Sequence, residues 1–580
     1  MKRLHKGFLL VALFVCLILF TGFVFAEESQ IEIDEELLKS IAAQFPNSVL
    51  SEEEKIKELE WFARTSAPFK GMTISSVGEP IPTIIWENEV LAPLFEKLTG
   101  IKVMSDAIDE GMVVETFYRQ IASKQHIYDI YINDTDLLGT HMRKQSCVNL
   151  TEFMANEGKD FTNPYQDFDD YLNLEFGQDY DGNQLQLPDN QFVNLYIFRY
   201  DWFNDPKYQA MFKEKYGYEL GVPLNWAAYE DIANFWTNDV NEINGVKIYG
   251  NQDYGKPSPH LGWRITDAWL SIAGVGDKGV PFGYPVDDWG LRAEDKIPKG
   301  FSVSRGGELN GPAAVYAVDK YIEWMKKYAP PAAVALDCFE SADIFGGGNI
   351  AQQISMYTCF LASDAYRSPE SPVTDENGNP LWRLAPTPHG KYWEEGMKIG
   401  YQDCGAWTIP VTTDPEKRKA AWLWAQFCTC KTVDVEKFIA GVTPIRKSTV
   451  WSDWATENEG RLGGLITFYK SPMEDKFTPT GPNVPDYALL AEQFWHYISP
   501  AATGELTVEE AMDQLAAKCD SLLEKLKTPA LSPQLNEEKD ESYWLEASGS
   551  PKAKIEEEEE PRTMPYDEML ERWKAGETTF

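Results

Sequence analysis

Histidine is scarce, at six in 580 residues. The five beyond position 26 are His126, His141, His260, His389 and His496; none pair at metal-ligand spacing, and no H-E-x-x-H occurs. No metal or other cofactor is therefore expected. A G-x-S-x-G nucleophile elbow is also missing: "GFSVS" (300–304) ends in Ser where the turn needs Gly. Cysteine is sparse. Of eight, Cys16 lies in an N-terminal apolar run, and the other seven form an odd, scattered set rather than a disulfide framework, leaving one incidental bridge open. Cys404 as a nucleophile has no His near it in sequence. Positive charge is short too, with 53 Lys and Arg against 91 Asp and Glu and a net charge of −38. A chain this acidic repels a phosphate backbone, so nucleic acid is not expected as a partner.

Two patterns lose their usual meaning in context. "GVGDKG" fits G-x-G-x-x-G, but it follows a helix-like stretch and meets Pro281, whereas a dinucleotide fingerprint needs a strand before it and a helix after. Asp179–Asp181 and "DENGN" (375–379) begin like calcium loops yet lack the distal Glu, and read as turns.

What is present starts with a leader. Lys2, Arg3 and Lys6 precede "FLLVALFVCLILFTGFVF", and the small residues Val24 and Ala26 stand before Glu27. Residues 1–26 read as a secretory signal peptide, which places the protein in the periplasm or another extracytoplasmic space. The alternative is a retained anchor, because 18 apolar residues just span a bilayer. Without the leader's three basic residues the charge is −41.

Residues 27–70 read as a charged helical extension. "MTISSV", "IKVMSD" and "YDIYIND" are β-like, and "NEVLAPLFEKLTG" and "VVETFYRQIASKQ" between them have helical periodicity. This alternation predicts an α/β, doubly wound sheet whose ligands sit beyond the strands' carboxyl ends. "NDTD" (133–136) stands at such an end. "QLQLPDNQFVNLYIFRYD" is a long β-like run able to cross between lobes. "LNWAAYEDIANFWTN" is a helix capped by Asn225, and "GGGNIAQQISMY" a Gly-rich turn leading into another helix. From about 531 the composition turns polar and acidic and reads as a mostly disordered tail with one short helix near "YDEMLERW".

Aromatics make up 13% of the chain, and several fall in Gly/Pro/Asn-rich connections: Tyr254, Trp263 and Trp407. Trp86 after "GEPIPTII", Asp189 in "LPDNQF" and Tyr357 in "QISMY" extend the set. Rings cover the C–H faces of a sugar or polyol, while carboxylates and amides accept its hydroxyl protons. Each residue taken alone fits packing or capping equally well.

The ordered segments resemble the family 1 extracellular solute-binding proteins of ABC importers. They run from "NEVLAPLFEKLTGIKV" through "QIASKQHIYDIYINDTDLLG", "LPDNQFVNLYIFRYDWFND", "VPLNWAAYEDIANFWT" and "FGGGNIAQQISMY" to "LAPTPHG…GYQDCGAWTIPVTTDPEKRKAAWLWAQF" and "GVTPIRKSTV", over roughly residues 71–530. Among that family the chain is most similar to the long polyol and glycerol members. The resemblance implies a two-lobed periplasmic-binding-protein fold with a hinge. It assigns 71–192 and 345–408 to lobe 1, and 193–344 and 409–530 to lobe 2. It implies a monomer that makes and breaks no bond and captures a neutral polyol or sugar, glycerol-like, by closure. The loaded form then docks on membrane permease subunits served by a separate ATPase. By the same resemblance Asp134 and Asp136 belong to the strand-end site, Asp403 and Trp407 to the interlobe strand, and Arg446 donates to ligand hydroxyls. Two rivals stay open: a secreted carbohydrate-active hydrolase, and a binding protein for a glycerol phosphoester or an oligosaccharide.

Overall fold

The computed structural model describes residues 34–279, 285–549 and 551–577. The leader expected at 1–26, and Pro281, lie outside them.

The extension forms two helices, α1 (Glu35–Ala42) and α2 (Glu52–Thr65), separated where Pro46 cannot continue a helix. Ser51 and Glu54 close a capping box on α2. The pair is built into the body: Phe62 packs edge-on to Phe427 at 5.4 Å, and Glu58 accepts from the Thr432 amide at 3.0 Å and from Asn163 at 3.1 Å.

Strands β1 (Thr73–Gly78), β2 (Lys102–Ala107) and β3 (Ile130–Asp134) pair in parallel in the order β3-β1-β2. They alternate with helices α3 (Ala92–Thr99), closed by Gly100 at φ 74°, and α4 (Glu110–Ser123), as the periodicity predicts. The long apolar run is one strand, β4 (Leu187–Arg199), buried along its whole length.

β4 joins two halves. Its first half pairs antiparallel with β7 (Gly400–Thr408), which also borders β3. Its second half lies between β5 (Gln352–Tyr357) and β6 (Trp382–Ala385), both antiparallel to it. The sheet therefore bends around a shared strand. "QQISMY" is thus a strand and not the expected helix: six residues, five of them buried, pair with β4, and this outweighs the Ala/Gln helix preference before it. β5 and β6 belong with the second half of β4, while the helix Pro415–Thr429 packs through Trp424 and Phe427 on Phe95, beside the β1–β3 half.

Helices α5 (Trp226–Asn234) and α6 (Pro259–Ala273, with a wide turn at Ile265–Trp269) cover the second half with α7 (Pro312–Tyr328). Trp226, Trp269 and Trp324 meet there with ring centres 5.3 to 5.5 Å apart. Most of the tryptophan surplus is therefore core, not ligand platform.

Part of the tail is docked on the body, contrary to the compositional reading. Thr563–Met564 pairs antiparallel with Val222–Pro223. The helix Tyr566–Lys574 buries Tyr566, Met569 and Trp573, an i, i+3, i+7 stripe on one face of an otherwise charged segment. Acidic composition hid this narrow apolar face. All seven cysteines among the described residues are free thiols.

Candidate ligand-binding site

The carboxyl ends of the parallel strands supply one wall. Glu79 follows β1, Glu110 opens α4 after β2, Asp134 ends β3, and Asp136 follows two residues on. Facing them are Trp263 and Asp267, one turn apart on α6, with Tyr357 from the end of β5, Tyr401 from β7 and Tyr487 from the start of the helix Tyr487–Thr503. Two adjoining cavities result. Both are bounded by Glu79, Glu110, Asp134, Trp263 and Asp267.

Tyrosine hydroxyls and backbone amides hold the carboxyl groups in place. Tyr487 Oη lies 3.2 Å from Asp136 Oδ2 and 2.9 Å from Asp267 Oδ1. Tyr401 Oη lies 3.0 Å from Asp136 Oδ2 and 2.9 Å from Asp403 Oδ2. Asp136 also accepts from the Thr480 amide at 2.9 Å, and Asp403 from the Cys404 amide at 2.7 Å and from the Thr135 hydroxyl.

Burial favours the neutral form of these acids, and their mutual repulsion adds to it. Glu79 and Asp267 are each pushed up to about 7, and Asp403 to about 6, in each case chiefly by burial. Glu110, Asp134 and Asp136 are raised well above the usual carboxylate range by burial and then by neighbouring acids.

Of the residues singled out from sequence, Asp134, Asp136, Tyr254, Trp263 and Tyr357 line the cavities. Asp403 stands one layer behind, supporting Tyr401 and Thr135.

Four others lie elsewhere. Arg446 is fully buried, and its guanidinium N–H groups are taken by the carbonyls of Thr429, Gln166 and Asp167 and by Asp170, leaving none for a ligand. Trp407 donates to Asp189 at 2.7 Å and packs on Trp424. Asp189 also accepts from Lys437 at 2.8 Å, and Lys437 reaches Glu87 at 3.1 Å, so this is a closed internal ion cluster. The cause is local: the β7–β4 ladder slips at Gly405/Ala406, so Asp189 has no residue opposite it. Trp86 ends the helix Pro82–Trp86 and packs half-buried on the core.

Sequence reasoning missed Glu79, Glu110, Asp267, Tyr401 and Tyr487. Glu79 and Glu110 were legible from the strand-end rule that pointed to Asp134, and Asp267 from its one-turn spacing after Trp263. A wider groove over Asn149, Glu157 and Arg418 opens on the outer face, where Arg418 is already paired with Glu157 at 2.7 Å.

No protein-family model and no curated protein sequence matches the chain. Solved structures do match it. The ribitol complex of an ABC transporter solute-binding protein from Agrobacterium radiobacter is 17% identical with a TM-score of 0.59, over 78% of this chain and 99% of that one. The fold is that of the two-lobed solute-binding proteins. A second such protein, from Agrobacterium vitis with bound D-mannitol, is 15% identical with a TM-score of 0.57, over 79% of this chain and 100% of that one. UgpB from Mycobacterium tuberculosis, in complex with glycerophosphocholine, is 14% identical with a TM-score of 0.54, over 78% of this chain and 98% of that one. Identities this low establish the fold and leave the ligand to the chemistry of the site.

Proposed function

We propose that the chain is the extracytoplasmic binding subunit of an ABC import system. It captures a small polyhydroxylated molecule as two lobes close, and hands it to a membrane permease driven by a separate ATPase. The observation that carries this reading is the interlobe position of the paired cavities. Carboxylates at the ends of β1 and β3 face aromatic rings and Asp267 across the cleft, where a hydroxyl-rich ligand would touch both sides. Such contacts exist only in the closed form, so ligand stabilises closure.

A phosphoester fits poorly, because neither cavity wall carries Lys or Arg to meet the anion. The hydrolase reading has no comparable support, since Asp136, Asp267 and Asp403 are tied to tyrosine and threonine donors.

Thermal unfolding of the purified protein against polyols, monosaccharides, disaccharides and glycerol phosphates tests the proposal. At about a hundredfold excess over its dissociation constant, a ligand adds roughly 2.7 kcal/mol of stability. A shift that vanishes in Asp136→Asn supports the reading. Cleavage of a glycoside without any shift overturns it.

A further inference from the structure

We infer that the site selects a ligand bearing positive charge, an amine-substituted polyol or amino sugar, over the neutral compound of the same shape. This rests on the binding-protein reading and narrows its ligand class.

The first observation is a charge imbalance. Glu79, Glu110, Asp134, Asp136 and Asp267 line the cavities with Asp403 directly behind, and neither wall contains Lys or Arg. The cations nearby are committed elsewhere. Arg264 holds Asp253 through two nitrogens, each at 2.9 Å, and donates to the carbonyls of Ile354 at 2.8 Å and Ser355 at 2.6 Å. Lys398 lies 2.6 Å from Asp288 and 3.1 Å from the Pro479 carbonyl. His260, on the second cavity, is kept toward its neutral form by burial.

The second observation is independent of charge. The indole N–H of Trp263 and both polar atoms of the Asn133 carboxamide are buried without a hydrogen-bond partner, in residues only 6% and 3% exposed. Trp263 borders both cavities and Asn133 the first. Buried polar atoms are usually paired, and groups on a ligand in the cavity would pair these.

A neutral polyol leaves the acids toward their protonated forms, whereas a cation placed among them favours their ionisation and gains from it. An ammonium supplies three donors and a compensating charge, in hydrogen bonds roughly twice as strong as neutral ones. The ring of Trp263 offers it a further electrostatic contact. The hydroxyls of the same ligand are left for Asn133 and the remaining acids.

Matched pairs test this by calorimetry and thermal unfolding at neutral pH: 3-amino-1,2-propanediol with glycerol, glucamine with sorbitol, and glucosamine with glucose. In at least one pair the amine should bind at least about tenfold more tightly. Glu79→Gln and Asp267→Asn, near-isosteric and each checked for a cooperative unfolding transition, should weaken the amine and narrow the gap to about threefold. If the neutral member binds as well or better in every pair that binds, the charge inference falls and the binding reading stands. If no member binds, both fall. An amine preference unchanged in both variants overturns the placement of the charge at these acids.

Discussion

Asp136, just past β3, and Asp267, on α6, are joined across the cleft through one hydroxyl, that of Tyr487. Thr480 reaches the same two acids, its amide at 2.9 Å from Asp136 and its hydroxyl at 3.4 Å from Asp267. Tyr487→Phe removes the one hydroxyl that donates to one of these carboxyl groups and accepts from the other when it is protonated, and should lower stability by about 1–3 kcal/mol. In a double-mutant cycle with Asp267→Asn, the two losses should fall short of additive, because they remove one shared bond. Urea unfolding of the four proteins measures this, and strict additivity would argue against the link.

Stability should depend on pH with a defined sign. Glu79 and Asp267, near 7, and Asp403, near 6, hold protons that the unfolded chain gives up around pH 4. The folded state thus binds more protons between about pH 4 and 7, and its stability falls as pH rises through that window. The carboxylate of Asp403 acts on both Glu79 and Asp267, Asp109 adds to the shift at Glu79, Lys398 opposes the shift at Asp267, and hydrogen bonds from Thr135, Cys404 and Tyr401 oppose that at Asp403. The buried imidazoles His141 and His389, lowered to about 3 and about 4, work in the opposite direction. Comparison with Glu79→Gln therefore isolates the acid contribution. The variant should show a flatter decline in urea midpoint, and an unchanged slope would count against it.

Arg446 should behave as scaffold. Its buried guanidinium ties Thr429 to the loop at Gln166–Asp170 and lies over the Tyr171 ring at 4.4 Å. Arg446→Met should cost about 3–5 kcal/mol, as the loss of a buried charged partner does. The dissociation constant of the remaining folded protein should stay within about twofold. A large rise in that constant with little loss of stability would return Arg446 to the site.

The tail helix should also carry weight. Trp573 is fully buried and meets Phe468 at 5.8 Å. Trp573→Ala should destabilise by about 3–5 kcal/mol. In the intact protein, limited proteolysis should spare residues 563–574. Early cleavage there would contradict a docked tail.

The sequence carried the fold further than the site. The strands β1, β2 and β3, helices α3 and α4, and the crossing strand β4 follow from periodicity and caps, which are local properties. "QQISMY" did not, because its strand state depends on β4, more than 150 residues earlier. At the site, Asp134 and Asp136 were legible as strand-end acids. Glu79 and Glu110 sit at equivalent ends but were masked by a chain holding 91 acids. Trp407 and Arg446 went the other way. Each is a residue type that suits a ligand, and long-range partners, Asp189 for one and the carbonyl of Thr429 for the other, claimed it first.

The short strand Thr563–Met564 pairs with Val222–Pro223, some 340 positions earlier in the chain. A ribosome adding about 5–20 residues per second delivers that partner no sooner than roughly 17 seconds after residue 223. Throughout that interval Val222–Pro223 lacks its paired strand. Docking of residues 563–574 is thereby made a late event, one that follows synthesis of every other strand of the second half.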